Sequence, residues 1–154
     1  YIRLTGGTNN PIINTKDYKF EIGKSILMSK GEDLLIISAG AILSECIKVS
    51  KMLESENIKS TIINMHTIKP IDGKMIRDHI YKKKLVVTVE EHNIIGGLGS
   101  AVSEVLSKLN DTPPLLSLGV DDSYSKSGSY EFLKEINGLV PEKIIGNIKK
   151  KLNE

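Results

Sequence analysis

The sequence predicts an α/β fold: a three-layer α/β/α sandwich around a mixed five-stranded sheet whose first strand runs antiparallel to the others. Three observations carry this expectation. Short apolar runs at 25–28, 34–38, 60–64, 85–89 and 115–120 alternate with segments whose apolar residues recur every three or four positions. The run Leu85-Val-Val-Thr-Val89 is apolar on consecutive positions, as in a parallel strand covered on both faces. The first two runs are separated by a few residues only, too few for the crossover that parallel neighbours require, so the first must run the opposite way.

In chain order, Tyr1 to Leu4 alternates weakly, like the end of a strand, and Thr5 to Asn10 followed by Pro11 has turn and linker composition. Residues 1–22 read as a tail from a preceding domain, and residues 23–154 as the domain proper. The chain opens without a methionine and reads as a piece of something longer. The first strand ends at the Lys30-Gly31-Glu32 turn. After the second, Ala39-Gly40 turns into a helix over about 41–56. The third strand is followed by a loop, His66 to Pro70, and Asp72 is placed to cap a helix over 73–82 carrying Met75, Ile76 and Ile80 on one face.

The fourth strand ends in four polar residues, Glu90, Glu91, His92 and Asn93, read as a loop. Gly96, Gly97 and Gly99 follow. Leu98, Ala101, Val102, Val105, Leu106 and Leu109 then form one helical stripe, which Asp111-Thr-Pro-Pro114 stops. After the fifth strand comes a polar loop, 121–129. Ser129 starts a short helix to about Ile136, which Gly138 ends, and Pro141 with Glu142 opens a last helix through Leu152.

Composition narrows the function. The chain has 154 residues, 40% of them apolar, which suits one globular domain. A formal net charge of +2 speaks against a nucleic-acid surface. The basic runs Lys82 to Lys84 and Lys149 to Lys151 sit at predicted helix ends, where the dipole favours them. The single cysteine, Cys46, excludes an internal disulfide and reads as a small buried apolar residue. No apolar run approaches the ~20 residues of a membrane span, and no signal peptide is visible, so a cytoplasmic location is expected.

Three chemistries can be weighed. The glycines at 96, 97 and 99 suggest a phosphate turn at a helix N-terminus. However, the third glycine of the dinucleotide fingerprint is absent, and close helix–strand packing is the better reading. No P-loop is present. Glu90, Glu91 and His92 could form an acid–base cluster, with Glu90 and His92 on one side of the chain and Glu91 on the other. One histidine beside carboxylates is not a metal site, and His66 and His79 are far away in sequence. An interface or site-rim role is preferred. Ser38, Ser100 and Ser103 lack a nucleophile elbow.

Thr88-Val-Glu-Glu-His-Asn-Ile-Ile-Gly-Gly-Leu-Gly-Ser-Ala-Val-Ser-Glu-Val-Leu106 resembles the signature segment of the transketolase C-terminal domain. Asn64-Met-His-Thr-Ile-Lys-Pro-Ile-Asp72 resembles the loop and helix start that precede it in that family, and Asp121 to Leu139 resembles its closing segment. Tyr1-Ile-Arg-Leu4 resembles the last strand of the family's pyrimidine-binding domain. The resemblance implies a section of a thiamine-diphosphate enzyme, a transferase of the pentose phosphate pathway that moves a two-carbon ketol unit between sugar phosphates. It also implies a divalent metal such as Mg²⁺ in the parent, and as partners the cofactor-binding domains or subunit, in a homodimer or a dimer of split subunits. The family's metal–diphosphate motif is Gly-Asp-Gly followed by Asn-Asn. This chain has Asn9-Asn10 without Gly-Asp-Gly, so no cofactor or metal residue is assigned to it, and the isolated domain is expected to be inactive. The family's phosphate-binding arginine does not carry over securely to Arg3. Glu90, Glu91, His92, Asn93 and His66 are the residues expected at an interface or substrate-channel rim. The alternatives are the same domain of 1-deoxyxylulose-5-phosphate synthase or of a 2-oxoacid dehydrogenase β-subunit, and a free-standing α/β ligand-binding or interaction module.

Overall fold

The computed structural model describes residues 1–4, 11–13 and 18–154. The linker expected at Thr5 to Asn10, including Gly6-Gly7 and Asn9-Asn10, lies outside the described residues, as do residues 14–17. The elements are β1 (Ile26–Ser29), β2 (Leu34–Ser38), α1 (Leu43–Glu54), β3 (Ser60–Asn64), α2 (Gly73–Ile80), β4 (Leu85–Asn93), α3 (Leu98–Leu106), β5 (Leu115–Val120), α4 (Tyr130–Ile136) and α5 (Pro141–Leu152).

The five strands form one sheet in the order β1-β3-β2-β4-β5. β2, β3, β4 and β5 pair in parallel, and β1 runs antiparallel against β3. This is the mixed sheet that the short first connection predicts. The reversed strand pairs with the far neighbour of β2 rather than with β2 itself.

Strand alternation divides the core into two layers. Leu34, Ile36, Val87 and Val89 face α1 and α5, meeting Cys46, Val49, Leu53, Ile144 and Ile148. Leu35, Ile37 and Val86 face α2 and α3, meeting Ile76, Leu98 and Val102. The central strands β2 and β3 are buried at every position, which is why their sequences lack the polar alternation of a one-sided strand.

Local chemistry explains the element ends. The Asp72 carboxylate accepts from Met75 N at 3.1 Å and so caps α2. The same carboxylate accepts from the Ser25 amide and hydroxyl, fastening the entry of β1 to the start of α2. Ser129 caps α4 by accepting from Phe132 N, and Gly138 beyond it has φ +70°. Three helices are shorter than the periodicity predicts. α1 begins at Leu43 because Gly40, Ala41 and Ile42 form tight turns into it. α2 stops at Ile80 because Tyr81 is extended and Lys82 adopts φ +60°. α3 stops at Leu106 because the Lys108 and Leu109 amides bond three rather than four residues back.

Among the described residues, no helix is long and apolar enough to cross a membrane.

Candidate functional site: the carboxyl end of the sheet

The carboxyl ends of β2, β3 and β4 converge where ligands gather in open parallel sheets. The loop expected at Glu90 to Asn93 is instead strand. β4 continues to Asn93 and stays beside β5, with a register shift between Val89 and Asn93. Its last pairing is Asn93 opposite Val120, and Ile94 N donates to Val120 O at 3.0 Å. The polar composition masked a strand because the residues leave the core here while their backbone still finds partners in β5.

Of the five expected rim residues, Glu90 is the one the fold takes inward. It is 4% exposed, and its carboxylate accepts from Leu98 N at 2.6 Å and Gly99 N at 2.8 Å. Glu90 therefore caps α3 from the neighbouring strand and sets a negative charge on the positive end of the helix. The glycines serve this closeness. A Cβ on Gly97 would stand 2.0 Å from Glu90 Oε2, and one on Gly99 would stand 2.7 Å from Ser117 Oγ and 3.0 Å from Thr88 Oγ1. The packing reading of the glycine cluster holds at these two positions.

Glu91 and His92 are exposed, and Glu90 and His92 share no hydrogen bond among the described residues. His92 Nδ1 lies 2.8 Å from Asn93 O. Asn93 Oδ1 accepts from Ile95 N at 2.8 Å, which shapes the turn toward Gly96. His66, at the end of β3, is separated from β4 by β2. Its ring lies 4.7 Å from that of Phe20, and partial burial holds its pKa below the usual histidine value. The rim residues thus occupy two separate places along the sheet end. Arg3 is exposed.

A buried ionic cluster beside this rim escaped the sequence reading. Lys134 of α4 lies 2.8 Å from Glu45 of α1, with both side chains at most 7% exposed. Glu131 and Lys48 complete the network, at 2.9 Å from Lys134 and 3.1 Å from Glu45 respectively. Burial pushes the Glu45 carboxyl up, but the hydrogen bonds from Lys134 and Lys48 outweigh it and hold the pKa below the ordinary carboxylate value. Burial pulls Lys134 down, and the bonds to Glu45 and Glu131 more than reverse this. The Lys134 ammonium also sits 4.8 Å from the centre of the Tyr130 ring. Burial, then the adjacent Glu91 carboxylate, raises the Tyr130 phenol well above its ordinary pKa. This cluster ties α4 to α1. The signal was present: Glu45 falls between Ile42 and Val49 at helical spacing, so its carboxylate had to point inward and find a cation.

A diphosphate does not fit the glycine turn. The two amides that would receive it already hold the Glu90 carboxylate, and a second anion there would be repelled. No group of three or more His, Cys, Asp or Glu residues is placed to hold a metal ion among the described residues. The arrangement supplies an ordered polar surface, Glu91-His92-Asn93, on a rigid support, and at the end of β3 the His66 Nδ1 lies 3.0 Å from the Thr67 hydroxyl.

The chain is similar to known proteins over most of its length. The model of the family described as transketolase, C-terminal domain, matches residues 23–144. A putative transketolase C-terminal section from Methanocaldococcus jannaschii is 38% identical over 92% of this chain and 44% of its own length. A 6-deoxy-6-sulfo-D-fructose transketolase subunit from a Clostridium strain is 34% identical over 86% of this chain and 41% of its own. A 1-deoxy-D-xylulose-5-phosphate synthase from Dictyoglomus turgidum is 33% identical, with only 21% of it covered. Among solved structures, a split-gene transketolase described as an inactive β4 tetramer superposes with a TM-score of 0.85 at 34% identity, over 93% of this chain and 46% of that one. Transketolase from Campylobacter jejuni, at 16% identity and a TM-score of 0.61, shares the fold. The chain thus spans less than half the length of these relatives.

Proposed function

The chain belongs to the transketolase C-terminal domain family, and from that membership we propose that it is the C-terminal section of a thiamine-diphosphate-dependent transketolase. The parent would move a two-carbon ketol unit between sugar phosphates in the cytoplasm, within pentose phosphate metabolism. The cofactor, when bound with its divalent metal, supplies the electron sink for that chemistry. Its seat would be in other domains or in a partner subunit, and this section would serve assembly and the rim of the substrate channel. Glu91, His92 and Asn93 are the rim residues on β4, and His66 stands at the end of β3.

The observation that carries the reading is the family match over residues 23–144, and the occupied N-terminus of α3 accords with it. A glycine turn closed by its own carboxylate offers no diphosphate seat at that helix end, which fits a parent whose seat is built by other domains. A transketolase parent is preferred to a 1-deoxy-D-xylulose-5-phosphate synthase. The transketolase section is the more similar, at 38% against 33% identity, and the chain makes up 44% of it against 21% of the synthase.

Titration calorimetry with thiamine diphosphate and Mg²⁺, followed by a coupled ketol-transfer assay, tests the proposal. The isolated chain should neither bind nor catalyse, and activity should appear when the cofactor-binding domains are supplied. Micromolar cofactor binding by this chain alone would overturn it. Failure of the supplemented mixture to transfer ketol units would leave the rival module reading in its place.

A further inference from the structure

The two edges of the sheet are not equivalent. β1, at one edge, has four residues and a register shift between Leu27 and Ser29, a form that discourages further pairing. β5, at the other, has six residues, Leu-Leu-Ser-Leu-Gly-Val, with no charge and no proline. Its register against β4 is unbroken from Leu115 to Leu118, and every residue is only half buried. Pro114 O accepts from Val86 N and Val120 O accepts from Ile94 N, so the even-numbered residues turn their backbone groups toward β4. By strand alternation, Leu115, Ser117 and Gly119 direct N–H and C=O away from the sheet. None of those amides has a partner among the described hydrogen bonds.

Charge is distributed unequally along this edge. Lys150 and Lys151 of α5 line a groove with Leu115, Leu116 and Ser117, beside the amino half of β5. Lys151 pairs with the exposed Glu154, and Lys150 makes no ion pair among the described residues. At the carboxyl end, β5 runs directly into Asp121 and Asp122, both exposed. The edge is therefore positive at one end, negative at the other, and apolar between.

We propose that β5 is a docking strand for a second copy of this chain, paired antiparallel to its own counterpart about a two-fold axis near Ser117. Antiparallel pairing of a strand with itself is isologous, so one surface serves both copies. It brings Lys150 and Lys151 of one copy toward Asp121 and Asp122 of the other at both ends, whereas a parallel arrangement would set like charges together. Leu115 would face the other copy's Gly119, and Ser117 its counterpart. Each such pair exchanges two backbone bonds, giving about six across the join. The result is one continuous sheet with five strands from each copy. The pairing does not depend on the reaction proposed above, so its failure and the failure of that reading are separate results.

Sedimentation equilibrium of the full 154-residue chain, with circular dichroism as a control for folding, tests it. The wild-type chain should dimerise. Ser117→Pro, which removes an outward amide without touching the β4 ladder, should raise the dissociation constant about tenfold or more. The double reversals Asp121→Lys/Asp122→Lys and Lys150→Asp/Lys151→Asp should each do the same, and mixing these two variants should restore association as a heterodimer. Hydrogen exchange should show Leu115, Ser117 and Gly119 amides protected in the dimer and open in the reversal variants. A chain that remains monomeric up to ~1 mM, the weak end of specific association, would overturn the proposal. So would a dimer whose constant none of the folded variants changes.

Discussion

The Lys134 ammonium and the Glu45 carboxylate, 89 residues apart in sequence, meet at 2.8 Å beneath the surface of the fold. The pair joins a seven-residue helix that buries little apolar surface of its own to the first long helix of the domain.

Lys134→Met keeps most of the side-chain volume and leaves Glu45 with only the exposed Lys48 as a partner. The expected loss is about 2–4 kcal/mol, because a stranded buried charge costs far more than a broken surface pair. Adding Glu45→Gln should recover part of it. Chemical denaturation of the three variants measures both effects, and losses that merely add would show that the charges are uncoupled.

The same pair predicts pH dependence. The Glu45 carboxyl has a lowered pKa in the folded state, so its contribution is present above the unfolded carboxylate value and disappears as pH falls through the folded one. The Lys134 pKa is raised, so its contribution is full below the ordinary lysine value and is lost as pH rises through the raised one. Stability measured below pH ~4 should fall less steeply in Glu45→Gln than in the wild type. Parallel curves would remove Glu45 from the acid response.

Glu90→Ala leaves the amides of Leu98 and Gly99 buried without their acceptor. A loss of about 1–2 kcal/mol is expected, typical of a removed helix cap. Sulfate or phosphate should restore part of that stability in the variant beyond any gain in the wild type, since the opened helix end can accept a small anion. Equal salt responses in the two proteins would contradict the capping role.

Gly99→Ala sets a methyl 2.7 Å from Ser117 Oγ, and Gly97→Ala sets one 2.0 Å from Glu90 Oε2. Each should cost about 1–3 kcal/mol by overpacking. Gly97→Ala should also weaken the Glu90 contact, so Glu90→Ala should cost less in that background than alone. Gly146→Ala, where the added carbon meets nothing, is the control.

Cys46 is fully buried, and burial pushes its thiol pKa up to about 12. An aromatic disulfide reagent at neutral pH should label it only at the rate of opening, and stoichiometrically in denaturant. Rapid labelling of the native chain would place the thiol at the surface.

In the full enzyme, Glu91→Ala and His92→Ala test the rim. Both side chains are exposed, so stability should be nearly unchanged. A several-fold change in kcat/KM or in dimer affinity would support the rim or interface role, and no change in either would end it.

The fold was legible because its signals are collective. Five apolar runs, Asp72 before a helix, Ser129 before another and Pro141 opening the last all acted as local physics requires. The site was less legible. The polarity of Glu90 to Asn93 suggests a loop, whereas Glu90 is buried on a helix end and β5 sustains the backbone. Lys134 gave no local sign of burial, since its partner lies on a distant helix. Long-range pairing of polar groups leaves a mark on only one side of the pair at a time, and here Glu45 within an apolar stripe carried it.

The separation of β1 from β2 has a consequence for how the chain acquires its structure. Four residues join these strands, yet β3 stands between β1 and the rest of the sheet, and β1 has no neighbour but β3. No hairpin can form first at that end. β1 can settle only after α1 has returned the chain and β3 has aligned on β2, and Asp72 can fasten Ser25 only once the start of α2 is in place. The segment from Ser25 to Ser29 should therefore be the last to gain protection during refolding and the first to lose it under native conditions, opening while the four parallel strands remain closed.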